Sequence, residues 1–453
     1  MFDKILIANR GEIATRIIRA CQELEIKTVA IYSEADKNAL HVALADEAIC
    51  IGSSKASESY LNMHNVLSAA IVTGAQAIHP GFGFLAENSL FAEMCEECQI
   101  TFIGPKSKTI EEMGNKINAR KIMLDAKVPV IPGSDGAVDS IEEAMKIAKK
   151  IGYPLMLKAA AGGGGKGIRK VLHAKELPHH FSSAQQESLA AFGSGEMYIE
   201  KIIYPAKHIE VQILGDQFGH VIHLGERDCS LQRNNQKVLE EAPGFSLSDD
   251  LRTRIGDTAI KAAKAVSYEN AGTIEFLVDE ENNFYFMEMN TRIQVEHPVT
   301  EMITGIDIVK WQIKIAAHQK LTLTQSDVSF SGHAIECRLN AENPAFNFAP
   351  SPGKITSLIL PSGGLGLRVD SAMYQDYTIP PFYDSMIAKI ITHGQTREEA
   401  LLKMKRALLE LVVEGVTTNQ MFQLDLLTHP LVIEGSYDTS FLQKEFLPNW
   451  SQD

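Results

Sequence analysis

The N-terminal part of the sequence alternates short apolar segments with helix-like stretches, and this alternation restricts the fold more than any other feature. Ile5 to Ala8 has the pattern of a buried strand, Glu12 to Leu24 that of a helix, and Lys27 to Tyr32 that of a second strand. Short apolar strands separated by helices are typical of a parallel sheet. The pattern repeats toward Gly104, so we expect an α/β domain over residues 1–115.

Two further units are predicted from breaks in the pattern. Val128 to Gly133 holds two prolines and a glycine and predicts the entry to a new unit. Strand and hairpin patterns follow, and Asp307 is placed to cap a helix that reaches about His318. We expect a second domain over residues 116–325, in which residues from about 131 to 201 form a mobile lid.

The third predicted unit, residues 331–447, mixes short strands with one long helix. Thr396 opens that helix with the spacing of a capping box, and Gly415 is placed to end it. The whole chain is therefore predicted to be α/β, with a C-terminal mixed α+β domain.

Charge and hydropathy exclude several classes of protein. The chain has 453 residues, with 43 Lys and Arg against 57 Asp and Glu, and a net charge of −14. A nucleic-acid binder needs a basic surface, so we expect none, and an anionic substrate must be held by a local basic cluster. The N-terminal apolar run is short for a signal peptide, and no stretch approaches the roughly 18 apolar residues of a membrane span. We expect a cytoplasmic protein without membrane contact.

The most unusual local sequence is the glycine run within residues 161–167. Gly162, Gly164 and Gly167 satisfy G-x-G-x-x-G, but strand-like residues follow where a Rossmann loop should open a helix. Consecutive glycines let backbone N–H groups approach phosphate oxygens. We interpret the run as a flap over phosphates, and the alternative is a flexible hairpin tip.

Two lysines lie near this part of the sequence. Lys158 ends the apolar strand before the glycine run, and because unpaired burial of a charge is costly, it should point into a site or pair with a carboxylate. Lys116 cannot be distinguished by its pattern from a surface lysine.

A pair of adjacent strand patterns carries the strongest candidate site. Glu275 lies in the first strand, and Glu288 and Asn290 share a face of the second because side chains alternate along a strand. A symmetric turn would place Glu275 opposite Glu288. Mg²⁺ prefers hard oxygen ligands of this kind and completes its shell with phosphates. The alternative is that one carboxylate faces solvent.

Arg292, Gln294 and Glu296 follow at every second position. A cation beside a carboxylate can bind an anionic substrate and deprotonate it. A structural Arg–Glu pair explains the spacing equally well.

Three other polar groupings remain ambiguous from the sequence. His208, Glu210 and Gln212 alternate with apolar residues, as a surface strand would also show. A basic stretch follows the predicted strand from His220 to Leu224. Arg338 shares a strand face with Glu336 and is either a site residue or a rim charge. The basic stretch consists of Arg227, Gln232, Arg233 and Lys237.

Taken together, five stretches resemble the biotin carboxylase family of the ATP-grasp superfamily, and within it the stand-alone subunits of bacterial acetyl-CoA carboxylase. They are KILIANRGEIA from Lys4, AIHPGFGFLAEN from Ala77, KAAAGGGGKG from Lys158, ERDCSLQRNNQK from Glu226 and MEMNTRIQVEHPVTE from Met287. The last is very specific, and the resemblance runs from Lys4 to about Leu447.

The resemblance implies cofactors and roles for the matching positions. ATP and Mg²⁺ or Mn²⁺ are implied, with Glu275, Glu288 and Asn290 as metal ligands. The implied ATP contacts are Lys116, Lys158, Gly164 and Gly165 at the phosphates, Glu200, Lys201 and Ile203 at the adenine, and His208, Gln232, Asn235, Glu275 and Glu288 elsewhere on the nucleotide.

A second set of roles concerns bicarbonate and biotin. The resemblance implies that Lys237, Arg292, Gln294 and Val295 hold bicarbonate, that Glu296 is the base, and that Phe82 and Arg338 approach biotin. Many members carry Tyr at the position of Phe82 and His at that of Asn235, so a hydroxyl and a titratable ring are missing here.

The implied reaction has two halves. Bicarbonate, deprotonated by Glu296, attacks the γ-phosphate of ATP and gives carboxyphosphate, which breaks down to carbon dioxide and phosphate. Phosphate then takes the N1′ proton of biotin, Arg338 stabilises the ureido enolate, and carboxylation follows. Final acceptors other than acetyl-CoA, such as another acyl-CoA or pyruvate, remain open. So do another ATP-grasp ligase and a non-catalytic nucleotide-binding regulator.

The resemblance also implies partners. These are a biotin carboxyl carrier protein, carboxyltransferase subunits and a second copy of the chain in a homodimer. A biotin-accepting lysine lies in an Ala-Met-Lys-Met hairpin tip, whereas Met404-Lys405 lies inside the helix opened by Thr396. We therefore expect biotin to arrive on a separate protein.

Overall fold

The computed structural model describes residues 1–159 and 167–451. Its N-terminal unit has five parallel strands in the order β3-β2-β1-β4-β5, which confirms the predicted sheet. The strands are β1 (Lys4–Ile7), β2 (Lys27–Tyr32), β3 (Glu47–Cys50), β4 (Ala77–His79) and β5 (Thr101–Phe102). The helices are α1 (Gly11–Glu23), α2 (Leu40–Leu44), α3 (Met63–Thr73), α4 (Ser89–Glu97) and α5 (Ser107–Gly114).

Two loops at the carboxyl ends of neighbouring strands are tied together in this unit. The side-chain amide of Asn9, just after β1, donates to the backbone oxygens of Pro80 and Phe82, each at 2.7 Å. The carboxyl edge of a parallel sheet is where such folds bind ligands. These hydrogen bonds fix the loop that carries Phe82 at that edge.

A small antiparallel sheet follows, with the strand order β7-β6-β8. It has a core of its own, in which Leu157, Phe181 and Ile199 are buried. Its elements are α6 (Lys116–Asp125), α7 (Ile141–Ile151), β6 (Leu155–Ala159), β7 (Arg169–Val171), α8 (Leu177–Phe192) and β8 (Met197–Lys201). The hairpin predicted around the glycine run is thus formed by β6 and β7.

An eight-stranded antiparallel sheet forms the centre of the molecule and continues into the C-terminal unit. Its order is β13-β12-β9-β10-β11-β14-β21-β19, and β11 pairs with β14 across the predicted boundary between the second and third units. The elements up to that point are β9 (Ala206–Gly215), β10 (Val221–Arg233), β11 (Gln236–Ala242), α9 (Asp249–Ala265), β12 (Asn270–Asp279), β13 (Phe284–Asn290), α10 (His297–Thr304) and α11 (Ile308–Ala316). Asp307 caps α11 as predicted, since its side chain accepts from Lys310 N.

The C-terminal unit is mixed α+β, as predicted. Its strands are β14 (His333–Asn340), β15 (Glu342–Asn343), β16 (Ala349–Pro350), β17 (Gly353–Lys354), β18 (Ser357–Ile359), β19 (Leu367–Ser371), β20 (Thr378–Ile379), β21 (Met386–Gly394) and β22 (Val412–Glu414). Its helices are α12 (Arg397–Glu410), α13 (Gln420–Thr428) and α14 (Pro430–Glu434). In the part of the chain that the structure describes, no helix combines the length and apolar character needed to cross a membrane.

Two predicted element ends are wrong. The helix opened by Thr396 ends at Glu410 and not at Gly415, because Leu411 is buried in extended conformation and the chain continues as β22, paired with β18. The strand predicted to end at Leu224 runs on to Arg233. Gly225, with a φ of +86°, lies where the pairing register shifts, and pairing resumes at Glu226.

Candidate active site

One cavity of about 970 Å³ lies between the N-terminal loops, the small sheet and the central sheet. Glu296 is fully buried beside it. Gly164 and Gly165, predicted at the phosphates, lie outside the described residues. The other predicted site residues all line the cavity, namely Phe82, Lys116, Lys158, Glu200, Lys201, Ile203, His208, Gln232, Asn235, Lys237, Glu275, Glu288, Asn290, Arg292, Gln294, Val295 and Arg338.

The ammonium of Lys237 stands at the centre of three buried carboxylates. Its Nζ lies 2.5 Å from Glu210, 3.1 Å from Glu275 and 2.5 Å from Glu296. Burial alone would lower the pKa of Lys237, but the three carboxylates outweigh it and raise that pKa well above its ordinary value. Lys237 therefore stays charged and holds the carboxylates together.

Arg338 and Glu296 form the neighbouring pair. Nη2 of Arg338 lies 2.9 Å from Glu296, and its Nε donates to Glu240 at 2.6 Å. Burial would raise the pKa of Glu296, but Lys237 and Arg338 outweigh burial and hold it well below its usual range. Burial raises the pKa of Glu240 to about 7 against the opposing charge of Arg338. The alternative of a solvent-exposed rim charge does not fit, since the Arg338 side chain is 18% exposed, lines the cavity and pairs with two fully buried carboxylates.

Glu275 lies opposite Glu288, as predicted, but the two strands do not pair in the regular register that a symmetric turn would give. Phe276 pairs with Phe286, and both are in the core. A regular ladder would continue with Met287 opposite Glu275 and would turn Glu288 toward the core. A register shift at Met287 instead pairs Glu275 with Glu288 and directs both side chains to the cavity.

Basic groups surround these two carboxylates. Lys116 Nζ lies 3.7 Å from Glu288, and Glu275 lies 2.9 Å from Nε2 of His208. Burial opposes the charged form of His208, but Glu275 outweighs it and raises the pKa of the imidazole. Asn290 also donates to Glu288, at 3.4 Å. This set of hard oxygen donors beside lysines fits Mg²⁺ or Mn²⁺ with a bound phosphate chain.

Arg292 and Gln294 form a chain of hydrogen bonds that ends at Glu275. Nη1 of Arg292 donates to Gln294 at 2.8 Å, and Nε2 of Gln294 donates to Glu275 at 3.0 Å. The strand ends with β13, and the residues that follow are not extended. Arg292, Gln294 and Glu296 therefore do not share a strand face, although they occur at every second position.

The far end of the cavity is formed by the small sheet and its exit. Lys158 pairs with Glu200 at 2.5 Å and also lines the cavity. Both outcomes expected of this lysine, a carboxylate partner and a place in a site, are therefore found. The side chain of Lys201 donates to the backbone oxygen of Ile151 at 3.1 Å. Asn235 lies in the tight turn between β10 and β11, where it and Asn234 both have positive φ, a conformation that Asn tolerates.

Several residues of the site were missed or left open by sequence reasoning. Glu210 is fully buried, so its alternating strand is not a surface strand. Arg227, also fully buried, donates to Glu210 at 2.6 Å. Glu240 and Glu241 are adjacent between Leu239 and Ala242, and nothing in that local pattern showed which of them belongs to the site. Nothing in the local pattern distinguished Glu87, which contacts Arg292 at 2.8 Å.

Comparisons with known proteins agree with this geometry. Three family models cover most of the chain: biotin carboxylase, N-terminal domain, at residues 1–110; carbamoyl-phosphate synthase L chain, ATP binding domain, at residues 115–324; and biotin carboxylase C-terminal domain, at residues 336–444. Biotin carboxylase 1 of Bacillus subtilis is 58% identical over 444 residues, which is 98% of each chain.

Two solved structures are also similar over nearly the whole chain. The biotin carboxylase β,γ-ATP complex from Campylobacter jejuni has a TM-score of 0.95 at 51% identity and covers 98% of this chain and 99% of that one. The biotin carboxylase domain dimer of Hydrogenobacter thermophilus 2-oxoglutarate carboxylase, with MgADP, ADP and bicarbonate, has a TM-score of 0.94 at 50% identity and covers 100% of both chains.

The fold and the site define the class of protein first. An ATP-grasp enzyme has the three features seen here. They are a large antiparallel sheet that bears the carboxylate hairpin, a small sheet that bears basic side chains, and a cavity between the two sheets. Within that class, the chain belongs to the biotin carboxylase family.

Proposed function

We propose that this chain carboxylates biotin, with bicarbonate as the source of the carboxyl group and ATP as the source of free energy. One observation carries the proposal. A single cavity holds the Glu275 and Glu288 pair beside Lys116 and, next to it, the Lys237, Glu296 and Arg338 cluster, and Lys237 joins the two at 3.1 Å from Glu275. The first suits a metal-bound triphosphate and the second suits a small anion and its acceptor.

We assign nucleotide binding to the carboxylate pair and the small sheet. Lys116 and Lys158 neutralise the phosphates, and the segment of Glu200, Lys201 and Ile203 lines the adenine. The predicted phosphate contacts of Gly164 and Gly165, and those of His208, Gln232 and Asn235 with the nucleotide, belong to the same proposal. Glu275, Glu288 and Asn290 would hold Mg²⁺, which would neutralise the negative charge that develops on the phosphates.

Bicarbonate is assigned to the space beside Lys237, Arg292, Gln294 and the backbone of Val295. With Lys237 and Arg338 paired to it, Glu296 has a low pKa and is a weak base. An anion bound by Lys237 and Arg292 takes a share of their positive charge, which raises the pKa of Glu296. Substrate binding thus makes Glu296 a better base at the moment it is needed.

Biotin is assigned to the side of the cavity between Phe82 and Arg338, which both line it. Glu240 and Glu296 hold the guanidinium of Arg338 from two sides, so the charge is in place before the ureido oxygen becomes negative. Phe82 offers an aromatic face but no hydroxyl, so it supplies packing and no hydrogen bond.

The larger assembly and the domain movements are further parts of the proposal. We infer three units, at residues 1–115, 116–325 and 331–447, with residues 131–201 closing as a lid over ATP. A homodimer, a separate biotin carboxyl carrier protein and carboxyltransferase subunits complete the enzyme, and acetyl-CoA is the proposed final acceptor. The likeness to a dimeric domain of a 2-oxoglutarate carboxylase supports the dimer and keeps other acceptors in view.

Phosphate release from ATP tests the function directly. We expect release to require bicarbonate and to rise with free biotin. Release that depends on an amine, and not on bicarbonate, would instead identify another ATP-grasp ligase. Tight ATP binding without any turnover would identify a nucleotide-binding regulator.

A further inference from the structure

A glutamate of the N-terminal unit reaches across to the loop that follows β13. One carboxylate oxygen of Glu87 accepts from the backbone N–H of Thr291 at 3.0 Å. The other accepts from Nε of Arg292 at 2.8 Å. A single side chain thus holds both the backbone and the guanidinium of neighbouring residues in another unit.

The remaining nitrogens of Arg292 show what this contact does. Nη1 donates to Gln294 at 2.8 Å and to the backbone oxygen of Ile293 at 3.2 Å. Within residues 1–159 and 167–451, no group hydrogen-bonds Nη2. Because a guanidinium is planar and its donors form a rigid fork, fixing Nε and Nη1 also fixes the direction in which Nη2 points.

Glu87 is itself held on a rigid segment. Leu85 and Ala86 are buried, and Asn88 caps α4, its side chain accepting from Phe91 N at 2.8 Å. The backbone N–H of Asn88 also donates to Leu85 O at 3.2 Å. The carboxylate is therefore placed by packing on one side and by a helix cap on the other.

We propose that Glu87 is a positioning residue, which holds Arg292 so that one edge of its guanidinium remains available to bicarbonate. The inference rests on the proposed function, since Arg292 is there assigned to bicarbonate. Glu87 touches no reacting atom. It acts only through Arg292 and the Thr291 backbone, and its loss should weaken bicarbonate use while leaving ATP binding alone.

The ion pair, and not merely the bulk of the side chain, carries this role. The Glu87 side chain is 39% exposed and that of Arg292 is 19% exposed, so substituting Glu87 leaves no large buried cavity. Groups that orient such a functional side chain matter nearly as much as the side chain itself.

The test compares Glu87→Gln and Glu87→Asp with the control Glu93→Gln, an exposed glutamate on α4. Bicarbonate-dependent ATP cleavage by the full chain is measured while bicarbonate and ATP are varied in turn. A hydrogen bond to a charged group corresponds to about 10- to 100-fold in affinity. We expect Glu87→Gln to raise the KM for bicarbonate by about 10-fold or more, with the KM for ATP and the thermal midpoint nearly unchanged. Glu87→Asp should recover part of the loss, and the control should behave as wild type.

A double variant separates positioning from other roles. If Glu87 acts through Arg292, adding Glu87→Gln to Arg292→Ala causes little further loss. Additive losses, equal changes in both KM values, or an unchanged KM for bicarbonate would each overturn the inference. Absence of bicarbonate-dependent cleavage in the wild-type chain would overturn the proposed function itself, which is a different result.

Discussion

Replacing Lys237 with methionine tests the electrostatics of the site most sharply. Methionine keeps much of the side-chain length but removes the charge that lies within 3.1 Å of Glu210, Glu275 and Glu296. The exposed fraction is 12% for the lysine side chain and 5% or less for the carboxylates, so water screens these interactions little. Removing one partner of a buried ion pair costs about 3–5 kcal/mol, and we expect a loss of stability of that order near neutral pH.

The loss should depend on pH, and its sign follows from proton linkage. Without Lys237, each of the three carboxylates loses a cation, so its folded-state pKa rises relative to wild type, although Arg227, His208 and Arg338 still lie beside them. The folded variant then binds more protons than the folded wild type, while the unfolded carboxylates are the same in both, so the stability of the variant falls relative to wild type as pH rises above about 4.5. The deficit relative to wild type should be larger at about pH 8 than at about pH 5.5.

Thermal unfolding of both proteins at the two pH values measures this difference. Lys106→Met is the matched control, because it breaks a pair with Glu269 in which the lysine is 64% exposed, and exposed pairs contribute only about 0–1 kcal/mol. The variant should also lose bicarbonate-dependent ATP cleavage. An equal deficit at both pH values, or a deficit no larger than that of the control, would refute the idea that Lys237 holds the three carboxylates together.

Four other predictions follow from the site and its surroundings. Glu288→Gln should nearly abolish phosphate release from ATP with the fold intact, because a charged metal ligand is lost; near-normal turnover at ordinary Mg²⁺ levels would contradict the assignment. Arg338→Ala should raise the activation free energy of biotin carboxylation by roughly 2.7–4 kcal/mol and affect ATP cleavage much less. The pH profile of ATP cleavage should move to higher pH, because Glu296 loses a neighbouring cation. Equal losses in the two half-reactions would make Arg338 structural or part of the bicarbonate site. Hydrogen exchange in the small sheet should slow on ATP binding, and unchanged exchange would argue against a lid. Burial would raise the pKa of Glu241, but His333 and Arg397 outweigh it and lower that pKa to about 2. The resulting stabilisation of about 3 kcal/mol is present above about pH 4.5 and is lost as pH falls toward 2. The stability of Glu241→Gln should therefore depend less on pH in this range, which acid unfolding measures.

The two incorrect element ends show the limits of local pattern. Gly415 has the residue type that ends helices, yet α12 stops at Glu410 because the following residues pair with β18. Gly225 lies at a shift in pairing register inside a strand that continues to Arg233. The partner of β22 is distant in the sequence, so no local pattern near Gly415 contains it, whereas β10 continues past Gly225 because its neighbours along the chain, β9 and β11, still pair with it there.

The site shows the same division between local and distant information. The amides and carboxylates of the β13 segment could be recognised as candidate ligands because their chemistry and spacing are local. Whether Glu210 lies on a surface strand or in a buried site could not be decided, since both give the same alternation. Burial depends on β10 and β12, which flank β9 in the folded sheet.

By itself, the sequence indicated the parallel N-terminal sheet and the carboxylate hairpin, because each is encoded in short stretches of side chains with a regular period, and its five motifs indicated the family and, through that resemblance, the candidate site residues. Only the tertiary structure decided three contacts of the site. Lys237 lies beside three carboxylates, the register shift at Met287 directs Glu288 to the cavity, and Glu87 pairs with Arg292. These contacts join residues from different strands and units. Their geometry is set by sheet pairing and packing, which a linear pattern does not contain.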